Sequence, residues 1–432
     1  MKRVTFSFLL ACVASLALGD GAQVSSGWAF SEVTVIQHWP LNRSVDIKFF
    51  ARQVDGQGSS RRAAKLKVSI GDRELPEAEF DNLWIRGEGR KCLVWTPAET
   101  GYPAELNDVA VTLSVVEEVR EVGYLVVDLE SGKRSYKPLS FADEVNCDTY
   151  KTTHMAFRYI PSTYSAAWRH AKGKDTFRIG SDGTRTDLGI TQDDKNREGT
   201  ANITLTKSFF FGVFPMTRKQ YALLGGSTSS ADTVPIRSVN YGMLRGNDGT
   251  NNAAAYCVPK TYDVDPETPV GRLRALTKLR FDFPTEAQWE YAARAGHDDS
   301  EYFFAEDPQK TLETQLNEYG ANNANNSVGS KKPNDWGIYD LIGCCHQWTL
   351  TAVGETNGAV SYTKHADAVG PVGVTPTTGD YAWRIVKGSH YKTNDAKKRV
   401  QRCAYRMALK SNGKDSGEQA NAGCRLRLTL ED

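Results

Sequence analysis

The sequence predicts an α+β domain preceded by an all-β sandwich of immunoglobulin-like or fibronectin-III-like type. Residues 28 to 120 hold short stretches in which apolar and polar residues alternate between turn-rich pieces, the pattern of half-buried strands in a sandwich. From about residue 150 onward helical signals appear among strand signals, most clearly over Thr285 to Gly296. At 432 residues the chain is long enough for two or three domains, each with its own core.

Met1-Lys2-Arg3 followed by the apolar run Val4 to Leu18 reads as a secretory signal peptide, with Ala17 and Gly19 as the small residues before a cleavage after Gly19. Leu9-Leu10-Ala11-Cys12 resembles a lipoprotein box, although the apolar run continues past Cys12, so lipidation stays open. The expected location is exported: secreted, periplasmic or at the cell surface. No later segment has the length and apolarity of a transmembrane helix. Charge is balanced, 53 Lys+Arg against 52 Asp+Glu, which offers no global attraction to nucleic acid. Removing the leader leaves seven cysteines, Cys92, Cys147, Cys257, Cys344, Cys345, Cys403 and Cys424. The odd count leaves at least one thiol outside any intrachain pairing.

The sandwich is expected over residues 20–122, where Val45/Ile47/Phe49, Leu66/Val68/Ile70 and Val109/Val111/Leu113/Val115 alternate with polar neighbours. Residues 123–149 read as a linker or transition containing one strand candidate, Tyr124 to Leu129, and the second domain is expected over 150–432. Residues 181 to 200 are polar and Gly-containing, which predicts a mobile surface loop, and Gly225 to Ser230 predicts another. Residues 269 to 279 predict a helix capped by Thr268 with Pro269 in its first turn, Val270, Leu273 and Leu276 inward and Arg272, Arg274 and Lys278 in solvent. Over Thr285 to Gly296, Thr285 and Gln288 have capping-box spacing and Glu286 complements the helix dipole. Glu290 and Arg294 form an i,i+4 pair, and Gly296 suits the left-handed C′ position. A loop is expected from Tyr362 to Thr378, with strands near Trp383 to Val386, Cys403 to Met407 and Arg425 to Leu430.

Five stretches in fixed order carry a family resemblance: Phe211 to Tyr221, Phe283 to Gly296, Pro333 to Trp348, Ile385 to His390 and Gly423 to Leu426. Together they resemble the formylglycine-generating enzyme, or sulfatase-modifying factor, family over roughly residues 150 to 430. The resemblance implies a formylglycine-generating-enzyme-like domain of C-type-lectin-like topology.

Enzymes of that family oxidise a cysteine in a bound sulfatase peptide, using two cysteines of their own to bind copper. Here the matching positions fall near Lys392 and Lys397 or Lys398, and Cys403 lies later. One thiolate does not make a bis-thiolate copper site, so no catalytic residue is assigned beyond Cys403 as a weak candidate. The family's structural calcium ion needs oxygen ligands, but the corresponding Asn and Glu positions hold Cys344 and Gln347. An upstream calcium site near Asn322 to Asn326 is the remaining possibility for that ion, against the plainer reading of a turn. Cys344, Cys345 and His346, with His390 or Cys403, are weak candidates for a new metal site. The competing reading is a buried Cys pair or cystines beside a core histidine.

No cofactor is therefore expected; copper or calcium enters only if the family sites survive in altered form. The leading functional expectation is a non-catalytic protein that binds a peptide, glycan or partner protein through its loops. The alternative is a divergent sulfatase-modifying oxidase that converts a peptide cysteine to formylglycine. The two differ on whether two thiols meet in the expected cleft.

Overall fold

The computed structural model describes residues 22–38, 42–55, 58–98, 106, 110–228, 232–246, 263–321, 323, 325–356, 359–361, 383–390, 397–411 and 421–430. The expected leader, Val109, Cys257, Asn322, Ala324, the expected loop over Tyr362 to Thr378, Lys392 and the tip of the Gly225–Ser230 loop lie outside these residues. The chain divides into two units, Met1–Glu121 and Val122–Asp432. No described helix is long and apolar enough to cross a membrane.

The first unit is rich in antiparallel strands: β1 (Gln23–Ser25), β2 (Trp28–Gln37), β3 (Val45–Gln53), β4 (Ala63–Ile70), β5 (Arg73–Glu74), β6 (Trp84–Arg86), β7 (Gly89–Trp95) and β8 (Val111–Val119). One sheet runs β1-β2-β3-β7; in the other, β4 pairs with β5, β6 and β8. Alternation works as expected. Val45, Ile47, Phe49 and Ala51 from the first sheet share a core with Leu66, Val68 and Leu113 from the second, around Trp28 and Trp95. Side chains of period two on each strand put one apolar face of each sheet inward.

The second unit is mixed α+β. It comprises β9 (Val122–Asp128), β10 (Arg134–Pro138), β11 (His154–Ile160), α1 (Ala166–Lys172), β12 (Phe177–Ile179), α2 (Gln192–Arg197), β13 (Ala201–Ile203), β14 (Phe209–Gly212), α3 (Arg218–Leu223), α4 (Tyr241–Arg245), α5 (Pro269–Thr277), α6 (Glu286–Arg294), α7 (Leu312–Tyr319), β15 (His346–Thr356), β16 (Ala359–Ser361), β17 (Trp383–Lys387), α8 (Lys397–Val400), β18 (Met407–Lys410), β19 (Ala422–Gly423) and β20 (Arg427–Thr429). One sheet has the order β10-β9-β11-β14-β20, and another β16-β15-β17-β18 with β19 parallel to β15.

Several expectations are corrected. The stretch 123–149, read as a linker or transition with one strand candidate at Tyr124 to Leu129, supplies both β9 and β10, which hydrogen-bond into the first of these sheets. Val122 to Val127 are all buried, so β9 is covered on both faces and shows a continuous apolar run without alternation. Residues 181–200, read as a mobile surface loop, do lie largely at the surface but contain α2 and two buried carboxylates, Asp194 and Glu198. Their polarity is internal because arginines from residues 399–402 pair with them. Over Cys403 to Met407 the chain turns, and the strand begins only at Met407.

The α5 helix spans Pro269–Thr277 with Thr268 as its cap. Val270 and Leu273 are fully buried as expected, but Leu276 is only half-buried. Arg274, read as solvent-facing, is half-buried and donates to Asp282 at 2.8 Å. Helix α6 has the expected capping box, with Thr285 Oγ1 accepting from the Gln288 N–H at 3.1 Å and Gln288 Oε1 accepting from the Thr285 N–H at 3.0 Å. Its left-handed C-cap is Ala295, at φ 47°, followed by Gly296 at φ 93°.

Asp282 precedes α6 and holds two guanidinium groups, Arg245 at 2.8 and 3.1 Å and Arg274 at 2.8 Å. Arg245 has 0% of its side chain in solvent. Asp282→Ala should therefore cost about 3–5 kcal/mol, the penalty for leaving a buried charge without its partner, while Thr285→Ser, which keeps the cap and deletes one buried methyl, should cost only about 1 kcal/mol. Urea unfolding of both variants checks the contrast.

Candidate functional site

The family-like stretches meet around α6, every residue of which is buried. With no solvent to carry its charges, the helix recruits partners from distant segments. Glu290 accepts from the Gly180 N–H at 2.8 Å, from Arg294 at 2.7 and 2.9 Å and from Lys387 at 3.0 Å. Burial alone would push the Glu290 carboxyl up, but Lys387 and Arg294 together hold it down at about 2. Glu286 receives Arg406 at 2.6 Å and lies 3.6 Å from Lys387. Alongside, Arg402 donates to Glu198 at 2.7 and 3.0 Å and to Glu301 at 3.1 Å, and Arg399 donates to both oxygens of Asp194 at 3.0 Å. Sequence reasoning missed this network. The signal was present in Arg399, Arg402 and Arg406, three cations at near-helical spacing, and in Lys387 at the end of an apolar strand.

Cys403 is set into this charged network. It is 1% exposed, and burial pushes its thiol up to about 12, Arg294 only partly opposing that. A thiol in that state is a poor nucleophile near neutral pH. All six described cysteines, Cys92, Cys147, Cys344, Cys345, Cys403 and Cys424, are unpaired. Lys397 and Lys398 open α8. The Lys397 ammonium donates to Asn317 at 3.0 Å, and the Lys398 carbonyl accepts from the Tyr302 hydroxyl at 2.6 Å. An ammonium group and one protonated, buried thiol do not fit a cuprous ion.

The segment Cys344 to Trp348 leads into β15. Gln347 stands where the resemblance implies a glutamate. Its carbonyl oxygen accepts from Trp289 at 2.8 Å and from Arg425 at 2.9 Å, and its amide donates to the Asp340 carbonyl at 3.1 Å. Both lone pairs of that oxygen face donors, one of them cationic, which does not fit a calcium ion. Upstream, the Asn323 side chain accepts from the Asn325 N–H at 2.9 Å, an Asx turn. His346 and His390 pack edge to face at 5.0 Å between ring centres. His346 Nδ1 donates to the Gly388 carbonyl at 2.8 Å, since a carbonyl oxygen can only accept. The structure thus brings Cys344, Cys345, His346 and His390 together, while Cys403 belongs to a different core. Among the described residues, no three His, Cys, Asp or Glu side chains converge as a metal site.

Asp340 sits beside this hub at φ 54°. Burial pushes its carboxyl up to about 6; the Gly329 N–H at 2.6 Å and Arg425 pull the other way without offsetting it. A carboxyl whose pKa rises on folding holds its proton more tightly when folded, so Asp340 removes stability as pH climbs from its ordinary 3.8 to about 6. Glu290 has the opposite sign: its contribution is complete above the ordinary 4.5 and is lost as pH falls toward about 2. Asp340→Asn should flatten the first decline and raise stability at neutral pH by about 1–3 kcal/mol, leaving the acid limb unchanged. Urea midpoints measured across both windows decide it; a variant that keeps the wild-type slope above pH 4 would refute the assignment.

A family model described as "Sulfatase-modifying factor enzyme 1-like domain" matches residues 176–429. Among solved structures, that of PvdO from Pseudomonas aeruginosa is similar at 16% identity and a TM-score of 0.44, over 64% of this chain and 94% of that one. A structure of CarF is similar at 15% identity and a TM-score of 0.32, over 60% of this chain and 98% of that one. No curated protein matches the chain. With the matched region covering more than half of its length, and with α6, the approach to β15 and β17 all falling inside it, the chain belongs to the sulfatase-modifying factor enzyme 1-like family.

Proposed function

We propose that this is an exported, non-catalytic member of its family that binds a peptide, glycan or partner protein through loops on the second unit. The observation that supports the proposal is donor chemistry: the positions that the resemblance assigns to the family's copper-binding pair fall near Lys392 and Lys397 or Lys398, and Cys403 is a buried thiol raised to about 12. In this reading the buried charges around Glu290 serve as scaffold rather than as acid or base. Each has its counter-ion in place, and the pKa of Glu290 is far from neutral. The first unit is taken to be an immunoglobulin-like or fibronectin-III-like sandwich that acts as a spacer or docking module. Export rests on the apolar run Val4 to Leu18 behind Lys2 and Arg3.

The alternative, a divergent oxidase, needs a second thiol beside Cys403. Purified protein loaded with copper should leave the cysteine of a sulfatase-motif peptide unchanged, as read by mass spectrometry of the peptide. Multiple-turnover aldehyde formation that Cys403→Ser abolishes would overturn the non-catalytic reading.

A further inference from the structure

We propose that Cys344 and Cys345 are a redox modification site, a vicinal dithiol that closes to a disulfide within one eight-membered ring. The two residues are adjacent in sequence, and their Sγ atoms lie 4.0 Å apart, on the same side of the chain. Both are buried, at 5% and 0% exposure, in a small cluster with Ala321. Gly343, at φ 69°, precedes them and lies so close to the Ala321 backbone that a Cβ there would meet its carbonyl oxygen at 2.3 Å. The close approach anchors the turn that delivers both thiols. The Cys344 thiol donates to Cys345, and this contact together with burial raises it well above the ordinary thiol value.

Closure is a two-electron exchange with an external disulfide, either a small-molecule disulfide or that of a protein dithiol oxidant. One cysteine, as thiolate, attacks the external disulfide and releases one thiolate, leaving a mixed disulfide. The second thiolate then attacks its neighbour's sulfur and releases the other. Two thiols are oxidised, one disulfide is reduced to two thiols, and the protons pass to the leaving groups. Because both thiols are buried, the exchange belongs to folding or to local opening. Once formed, the ring meets reductant only through the same opening. The inference rests on the exported setting of the proposed function only for its oxidant, which an experiment can supply directly.

Such a ring closes only two residues, so it constrains the unfolded chain little and is not a stability staple. Its effect is local. Cys344 is bridged in parallel to His390, His346 donates to Gly388, and the two imidazoles pack together. Fixing the Cys344–Cys345 peptide therefore sets the position of residues 388–390, immediately after β17.

The test uses the full chain refolded in a glutathione/glutathione-disulfide buffer, denatured, blocked with N-ethylmaleimide and digested. The peptide carrying both cysteines should emerge two hydrogens light and unalkylated, taking two maleimides only after reduction. Two maleimides before reduction would overturn the proposal. So would a bridge from Cys345 to Cys424, whose thiol is near enough for Cys345 to raise its pKa. In the folded protein, the imidazole NMR signals of His346 and His390 should differ between the oxidised and reduced forms; identical signals would refute the coupling to residues 388–390.

Discussion

Glu290 is the charge around which the second unit is assembled. A carboxylate with no solvent around it is tolerable only when cations and N–H groups surround it, and here they come from three separate places. Arg294 is one turn along α6, Lys387 ends β17, and Gly180 follows β12. Lys387 also lies over the Trp289 ring, 5.6 Å from its centre, so one ammonium group serves three residues of the same helix, Glu286, Trp289 and Glu290. Such an arrangement does little for net stability compared with an apolar core of equal volume. What it does is exclude alternatives, because sliding β17 or α6 by one residue would strand a charge. Arg294 extends the constraint by donating to the Gly180 carbonyl at 2.8 Å and the Ser300 carbonyl at 2.6 Å, tying two loops to the helix.

The parts of this fold legible in the sequence are those where one short-range rule decides. The capping box at Thr285 and Gln288, the cap and proline opening α5, and the alternation of β3 and β4 all depend on neighbours in sequence. β9 gave only a strand candidate inside an apparent linker, because a strand covered on both faces loses its alternation. The polar stretch 181–200 was illegible for a different reason. Asp194 and Glu198 look like surface residues until Arg399 and Arg402, two hundred residues later, are known to face them. Local composition cannot report a partner at that distance.

The hub at Gln347 shows how the departures from the family pattern fit together. An amide accepts on one side and donates on the other, and Gln347 uses both, receiving Trp289 and Arg425 and giving to the Asp340 carbonyl. Arg425 is fully buried, and burial lowers its pKa to about 10, yet its guanidinium is satisfied by the carbonyls of Gly212, Val213, Tyr339 and Asp340. A fixed cation of the protein's own thus occupies ground where a carboxylate would otherwise need a counter-charge. Around this centre lie the thiols of Cys344 and Cys345, packed against Ala321.

The pairing of β20 with β14 also bears on how the chain acquires its structure. The two strands come from distant parts of the second unit, and the Asp282 and Arg427 backbones exchange hydrogen bonds at 3.0 and 2.7 Å just before α6 begins. Closing so long a loop costs entropy before the contact returns anything. During synthesis the first unit can complete both of its sheets while the second waits, with Phe209, Phe210 and Phe211 lacking the neighbour that finally covers one edge. That interval, in which three consecutive phenylalanines stand on an open strand edge, is where the nascent chain is most exposed to misassociation.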